Sequence, residues 1–168
     1  RQSNYAEALS WYFKSLKIKE ELNDKKGTAL TLNNIGLIYV EQGEMADALK
    51  NYEDALKNYT AINDKNGLAM VYNNLGLAHK KTGNYPEAIR NFNFALSLNR
   101  ETGNKNWMAA NLANLGGILL SEADNASKSK DTAKATRLYN EALPLLTEAN
   151  GLNEFSGNKY SYCAALVI

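Results

Sequence analysis

The sequence has little of what a disulfide-linked, membrane-spanning or nucleic-acid-binding protein needs. It holds one cysteine in 168 residues, so no disulfide can form within the chain. Nineteen basic and eighteen acidic side chains give a formal net charge of +1, which offers no electrostatic footprint for nucleic acid or an anionic membrane. No apolar run reaches about 18 residues, which excludes a membrane span within these residues. What is left is a folded domain or a short array of repeats.

The chain repeats itself with a period of forty residues. Residues 27–66 and 67–106 align without a gap and are identical at thirteen of forty positions, where chance gives about two or three. This identity indicates a common structural unit. The shared residues include Asn33-Asn34 with Asn73-Asn74, Gly36 with Gly76, Gly43 with Gly83, Ala48 with Ala88, and Ala55-Leu56 with Ala95-Leu96.

Three further segments follow the same frame. Residues 1–26 match the second half of a repeat, and residues 107–153 form a third repeat with a seven-residue insertion. The insertion lies near residues 121–131, whose Ser, Lys and Asp content predicts a lengthened turn. Residues 154–168 begin a truncated repeat that would supply its first helix. The first residue is arginine rather than methionine, which indicates a piece of a longer protein.

Each repeat reads as two α-helices. In the first helix, Leu32, Ile35 and Tyr39 recur at helical spacing, and a second one-sided stripe follows after Gly43. A glycine at that point suits the left-handed conformation that ends many helices. No strand-like alternation persists, so we expect an all-α fold. The aromatic residues expected to fill the space between repeats are Tyr12, Tyr52, Phe92 and Tyr139.

Position by position, the repeat resembles a tetratricopeptide repeat, whose signature is W-x2-L-G-x2-Y, then A-x3-F, then A and P. The closing proline is absent here, since Thr60 and Arg100 stand at its place, and the period is forty rather than thirty-four. The landmarks in two successive repeats are Leu32, Ile35-Gly36, Tyr39, Ala48, Tyr52 and Ala55, then Tyr72, Leu75-Gly76, His79, Ala88, Phe92 and Ala95.

The forty-residue period is similar to one subset of that family, which includes kinesin light chain, Pins-type adaptors, Rap-type regulators and arrays fused to bacterial sensors. The resemblance implies a right-handed superhelical α-solenoid of antiparallel helix pairs. It also implies that first helices line a concave groove that binds peptides or protein partners. The physics of the repeat agrees, because a lone helix pair cannot bury its apolar faces and neighbouring repeats must stack.

The sequence offers no catalytic constellation. His79 is the only histidine and stands where the neighbouring repeat has Tyr39, which favours a packing role. Cys163 aligns with the small residues Gly76 and Gly116, and no histidine lies near it to activate a thiolate. Acidic residues lack the spacing of metal ligands. We therefore expect a protein that is not an enzyme and needs no metal or cofactor.

Asparagines mark the candidate binding site. Asn34, Asn74 and Asn114 recur every forty residues inside first helices, although asparagine is a poor residue for a helix interior. One explanation is a ladder of amides that donates to and accepts from a bound peptide backbone. The other is hydrogen bonding between adjacent repeats. The predicted peptide-binding residues are Asn33, Asn34, Leu37, Asn73, Asn74, Leu77 and Asn114.

The leading hypothesis is a non-enzymatic protein–protein interaction module that holds a peptide or partner protein in its groove. The alternative is a regulatory or sensory segment of a larger signalling protein, in which groove occupancy changes an attached output domain. The expected partner is a protein or peptide, without nucleic acid or membrane, and a cytoplasmic location is favoured. Both ends of the array should expose apolar faces, which predicts end-to-end self-association.

Overall fold

A computed structural model describes residues 2–155, and within that range every regular element is an α-helix. Turns of two or three residues separate the helices, which favours antiparallel neighbours. No helix of the described residues combines the length and the apolar content that crossing a membrane requires. The helices are α1 Gln2–Glu21, α2 Lys25–Gln42, α3 Met45–Ala61, α4 Lys65–Lys81, α5 Tyr85–Thr102, α6 Lys105–Lys128 and α7 Thr132–Phe155.

The first helices α2, α4 and α6 start forty residues apart because each follows a polar N-cap. Asp24, Asp64 and Asn104 occupy the N-cap positions, and each side chain accepts a hydrogen bond from the backbone N–H three residues later. For Asp24 and Asp64 that N–H belongs to Gly27 and Gly67, with N···O distances of 2.9 Å. A side-chain cap of this kind satisfies one of the N–H groups that a helix start leaves unpaired.

The residues that follow the helices also recur every forty residues. Gly43 and Gly83 have φ of 83° and 77°, the left-handed conformation that glycine adopts without a Cβ penalty. The turns between one repeat and the next use Asn23 and Asn63 with φ of 54° and 52°, and asparagine is among the few other residues that tolerate this region. Glycine therefore follows the first helices α2 and α4, whereas asparagine follows the second helices α1 and α3.

The chain divides into two compact units, Arg1–Asn91 and Phe92–Ile168. In the first unit, α2 packs against α1, α3 and α4, and α3 also packs against α4. Tyr52 lies at the centre of this core and is fully buried, with Ala48 and Ala55 buried on either side. A Cβ added at Gly36 would come within 2.7 Å of the Tyr52 ring, so only glycine lets α2 and α3 approach this closely.

In the second unit, α6 and α7 form a longer hairpin. Each has 24 residues, against 17 or 18 in α2 and α3. Gly116 lies against Leu146, each fifteen residues from Asp131 in the turn, whereas Gly36 and Tyr52 lie eight residues from their turn. Measured from the crossing to the turn, both arms of the second hairpin are therefore seven residues longer, fourteen in all rather than the seven that the sequence alignment predicts.

The lengthened turn predicted at residues 121–131 is wrong, because residues 121–128 continue α6. Ala123 and Ala126 are buried there, and the polar residues between them face solvent. Alanine is the strongest helix former, and seven residues make almost two full turns, so the added segment keeps the buried stripe of α6 in line. The turn itself is reduced to Ser129–Asp131.

The expected core role of Tyr139 is also wrong, whereas Tyr52 and Phe92 are fully buried as predicted. Tyr139 is 40% exposed, and its hydroxyl donates a 2.7 Å hydrogen bond to the Asp124 carboxylate in the added turns of α6. That bond raises the pKa of Tyr139. The helix α7 runs to Phe155, and the rest of the truncated repeat predicted over 154–168, with Cys163, lies outside the described residues.

Candidate peptide-binding face

Six of the seven predicted binding residues lie together in the first unit, on the contacting helices α2 and α4. Asn114 belongs to α6 in the second unit, where its side chain is half-buried. We call the group in the first unit the amide face. It consists of Asn33, Asn34 and Leu37 on α2 with Asn73, Asn74 and Leu77 on α4.

The two asparagines of each pair have different surroundings. Asn33 and Asn73 are 2% and 4% exposed, whereas Asn34 and Asn74 are half-buried. Adjacent residues of a helix point about 100° apart, so only the second asparagine of each pair shares the open side of the helix. Leu37 and Leu77, three residues further along, are 40% and 41% exposed at that side.

A relay of side-chain amides connects α4 to α2. Asn74 Nδ2 donates to Asn33 Oδ1 across the two helices at 2.8 Å, and Asn33 Nδ2 donates to Asn34 Oδ1 at 3.4 Å. The bond from Asn74 is the contact between adjacent repeats that the second explanation of the asparagine ladder predicted. It satisfies the buried oxygen of Asn33, which would otherwise be costly.

The relay leaves two polar atoms available at its ends. Among the described residues, Asn34 Nδ2 and Asn74 Oδ1 take part in no hydrogen bond within the protein, and both side chains are reachable from solvent. One donor and one acceptor thus lie beside two exposed leucines. This combination matches the donor and acceptor of a peptide backbone together with its apolar side chains.

Lys81 closes one end of the amide face. Its Nζ lies 3.0 Å from the backbone oxygen of Val40 and 3.3 Å from the carboxylate of Glu41, so it caps the last turn of α2 from the neighbouring repeat. A cation at a helix C-terminus is favourable, although an exposed ion pair contributes little to stability. The pair neutralises both charges, which leaves the face dominated by amides and leucines.

Two polar pairs between helices were missed by the sequence analysis. Lys19 Nζ donates to Thr31 Oγ1 at 2.7 Å, and Asn99 Nδ2 donates to Asn111 Oδ1 at 2.9 Å inside the core. Both pairs are twelve residues apart and occupy the same positions of the repeat, a spacing that could have revealed them. The middle repeat has buried residues of lower polarity at these positions, Tyr59 and Val71.

No group of three or more His, Cys, Asp or Glu side chains among the described residues could hold a metal ion. The hydrogen bond from the Gly67 N–H is the main cause that lowers the pKa of the Asp64 carboxyl, and the hydrogen bond from the Lys26 ammonium is the second. The Tyr52 hydroxyl is buried without a hydrogen-bond partner, and burial raises its pKa. His79 is half-buried in α4.

Comparison with known proteins agrees with this architecture. The family model described as tetratricopeptide repeat matches residues 1–61 and 67–148. Among solved structures, BtubC (BKLC) from P. vanneervenii superposes with a TM-score of 0.65 at 22% sequence identity. The alignment covers 89% of this chain and 59% of that one, so the chain spans well under two thirds of its structural neighbour. No curated protein sequence matches the chain.

The resemblance inferred from the repeat landmarks is therefore confirmed, as is the all-α solenoid class of helix pairs. Tetratricopeptide repeats act as protein–protein interaction modules, and the family is typically a non-enzymatic scaffold. With matched segments over most of its length and first helices that start forty residues apart, this chain belongs to the tetratricopeptide repeat family.

Proposed function

We propose that the chain is a non-enzymatic interaction module that binds an extended peptide segment on the amide face, within the groove expected from its family. The observation that carries the proposal is the pair of available atoms, Asn34 Nδ2 and Asn74 Oδ1, beside the exposed side chains of Leu37 and Leu77. The amide nitrogen donates to a peptide carbonyl, and the amide oxygen accepts from a peptide N–H.

An extended segment suits these atoms better than a helix does. The backbone groups of a helix are paired within the helix, whereas an extended segment presents one free N–H and one free C=O at each residue. The side chains of an extended segment alternate in direction, so some can pack on Leu37 and Leu77 while others face solvent. The near-neutral chain also favours recognition through the backbone and apolar contact over capture by charge.

Asn33 and Asn73 then have positioning roles, because they are buried next to the two available amides. Asn114 is the third member of the predicted ladder and continues the same pattern on α6. The proposal includes Asn114 as a binding residue of the second unit.

A displayed library of random twelve-residue peptides, selected on the purified chain, tests the proposal. The double variant Leu37→Lys, Leu77→Lys should lose at least tenfold in affinity for the selected peptides, because it places two cations on the amide face. Leu143→Lys changes an equally exposed leucine of α7 and serves as the matched control. A loss of affinity in the control alone, or in neither variant, would place the binding surface elsewhere.

A regulatory or sensory role remains the alternative proposal. A peptide that bridges α2 and α4 would stabilise one arrangement of these helices, and such a shift could reach an attached output domain. Amide hydrogen exchange with a selected peptide separates the two. A plain interaction module should gain protection on α2 and α4 only, whereas a regulatory segment should also change its exchange in α6 and α7.

A further inference from the structure

Apolar side chains lie on both sides of the available amides. Leu30 is 43% exposed and lies one turn before Asn34 in α2. In α4, the half-buried Met70 lies one turn before Asn74. Residues four apart in a helix share one face, so these two side chains border the amide face on the side of the helix starts. We call Leu30 and Met70 the first row, and Leu37 and Leu77, on the side of the helix ends, the second row.

An ion pair between neighbouring repeats lies beyond each row. Near the helix starts, Lys26 Nζ lies 2.9 Å from Oδ2 of Asp64, the N-cap of α4. Near the helix ends, Lys81 Nζ lies 3.3 Å from the carboxylate of Glu41. In α2, Lys26 and Glu41 stand one turn outside the two rows. Because each pair is neutral as a whole, neither one favours a charged side chain of a ligand at the rows.

The position of the amides between the rows determines where the side chains of an extended segment point. A segment that crosses from α2 to α4 turns backbone N–H and C=O groups toward Asn34 and Asn74. In an extended chain, successive side chains point in opposite directions, roughly perpendicular to the backbone hydrogen bonds. With those bonds directed into the amide face, the two directions run along the helices, one toward each row. Neighbouring residues of the segment therefore contact different rows.

We propose that the ligand of the amide face is an extended segment with two or more adjacent apolar residues and no charged residue beside them. One apolar side chain packs on the first row, and its neighbour packs on the second row. A segment in which apolar and polar residues alternate would fill only one row. The inference rests on the proposed function and adds the class of ligand to it.

The displayed library of random twelve-residue peptides tests this class of ligand by the sequences that selection on the purified chain returns. We expect the selected peptides to share a pair of adjacent apolar residues without acidic or basic neighbours. In a synthetic copy of a selected peptide, serine at either position of the pair should weaken binding about tenfold, because each replaced side chain loses its contact with one row. Serine at a polar position outside the pair is the matched control and should leave the affinity unchanged.

Variants of the protein assign each position of the pair to its row. Selection on Leu30→Lys should return an acidic residue at one position of the pair, because an ammonium then replaces the first-row contact. Selection on Leu37→Lys should return an acidic residue at the other position. Leu143→Lys changes a similarly exposed leucine of α7 and should return the wild-type preference. Should Leu30→Lys lose its helical circular dichroism, Leu30→Ala replaces it, with about a fivefold loss of affinity for the wild-type peptides.

The failure of this inference differs from the failure of the proposed function. Selected peptides with one apolar residue, with apolar residues at alternate positions only, or with charged residues beside the pair would overturn the inference alone. An unchanged preference on Leu30→Lys, or unchanged affinity on Leu30→Ala, would do the same. A library that yields no enriched peptide would overturn the proposed function and the inference together, as would peptides whose affinity the double variant Leu37→Lys, Leu77→Lys leaves unchanged.

Discussion

The hairpins α2–α3 and α6–α7 follow the same plan at different lengths. In the first, Gly36 meets the ring of Tyr52 eight residues from the turn, and in the second, Gly116 meets Leu146 fifteen residues from the turn. The close approach at a glycine is common to both, whereas the residue that fills the space differs. What the repeat requires is therefore a small residue at the helix crossing, rather than one particular aromatic partner.

The added length keeps the hairpin intact because it comes as seven residues in each arm. Seven residues advance a helix by almost two turns and shift a side chain by only about 20° around the axis. The buried stripe therefore continues to the tip, through Ala123 and Ala126 of α6 and Ala135 and Leu138 of α7. An insertion of five residues in one arm would have turned this stripe toward solvent.

The largest expected effect is on the free energy of unfolding, when leucine replaces the glycine at each of the two helix crossings. Gly36→Leu should lower the free energy of unfolding by about 3 kcal/mol or more, because the rigid Tyr52 ring has no room to move. Gly116→Leu should cost about 1–3 kcal/mol, since the flexible Leu146 side chain can rotate away. Urea unfolding measures both variants.

Gly151 is the matched control for these substitutions, because a Cβ added there in α7 meets nothing within 4 Å. Gly151→Ala should raise the free energy of unfolding by up to about 1 kcal/mol through helix propensity. An equal cost for Gly36→Leu and Gly116→Leu would show that the identity of the facing residue does not matter.

The next effect is the loss of stability when one of two amide–amide hydrogen bonds is removed, one in each unit. Asn99→Ala should cost about 1–3 kcal/mol, because it deprives the fully buried Asn111 of a donor. Asn74→Ala should cost less, since water can reach its half-buried position and serve Asn33. Asn93→Ala, at an exposed position of α5, is the control and should be neutral or slightly stabilising. A larger loss of stability for Asn74→Ala than for Asn99→Ala would contradict this ranking.

The N-cap of α4 in the first unit is the carboxyl of Asp64, which responds to pH, whereas the N-cap of α6 in the second unit is the amide of Asn104. Asp64 has a folded pKa below its unfolded value, so its stabilising effect is present above about pH 4 and is lost as the pH falls through the folded pKa. Asp64→Asn should keep the cap, as Asn104 does at the same position of α6, and remove the titration. The stability difference between wild type and variant, below about 1 kcal/mol at pH 7, should shrink toward pH 3 in chemical unfolding. A difference independent of pH would contradict this assignment.

The smallest effect compares two tyrosines at positions that the repeat alignment treats as equivalent. Tyr52→Phe should be neutral or stabilising by up to about 1 kcal/mol, because its buried hydroxyl has no partner and Phe92 fills the same position without one. Tyr139→Phe should lower the stability slightly, because it removes the hydrogen bond to Asp124. The thermal unfolding midpoint should therefore fall for Tyr139→Phe and stay unchanged or rise for Tyr52→Phe.

The sequence predicts the helices well where local chemistry determines them. A glycine such as Gly43 acts within a few residues, so its effect can be read from the chain. The N-caps Asp24 and Asp64 act over the same short range, but the sequence analysis did not identify them. The extension of α6 was missed because Ala123 and Ala126 stand among polar residues that are also typical of a turn. The signal was the spacing of seven between Gly116 and Ala123, which keeps the glycine face in line, and Ala126 follows three residues later.

The candidate site was only partly predictable because its asparagines have two possible partners. A period of forty places Asn34 and Asn74 at the same position of successive helices, but it does not say what their amides contact. The hydrogen bond that matters joins Asn74 to Asn33, at a spacing of forty-one, and depends on how closely α2 and α4 approach. That distance follows from packing of the whole unit, which no local pattern contains.

We propose that the amide face combines a buried amide, Asn33, which holds the repeats together, with a half-buried amide, Asn34, which binds peptide. Calorimetric titration of a selected peptide against Asn34→Ala and Asn33→Ala, each with its free energy of unfolding, tests it most directly. We predict that Asn34→Ala loses about two- to tenfold in affinity with only a small loss of stability, because the 3.4 Å hydrogen bond that it accepts from Asn33 is weak, whereas Asn33→Ala loses about 1–3 kcal/mol of stability. Full affinity in Asn34→Ala, or a loss of stability equal to that of Asn33→Ala, would contradict the account.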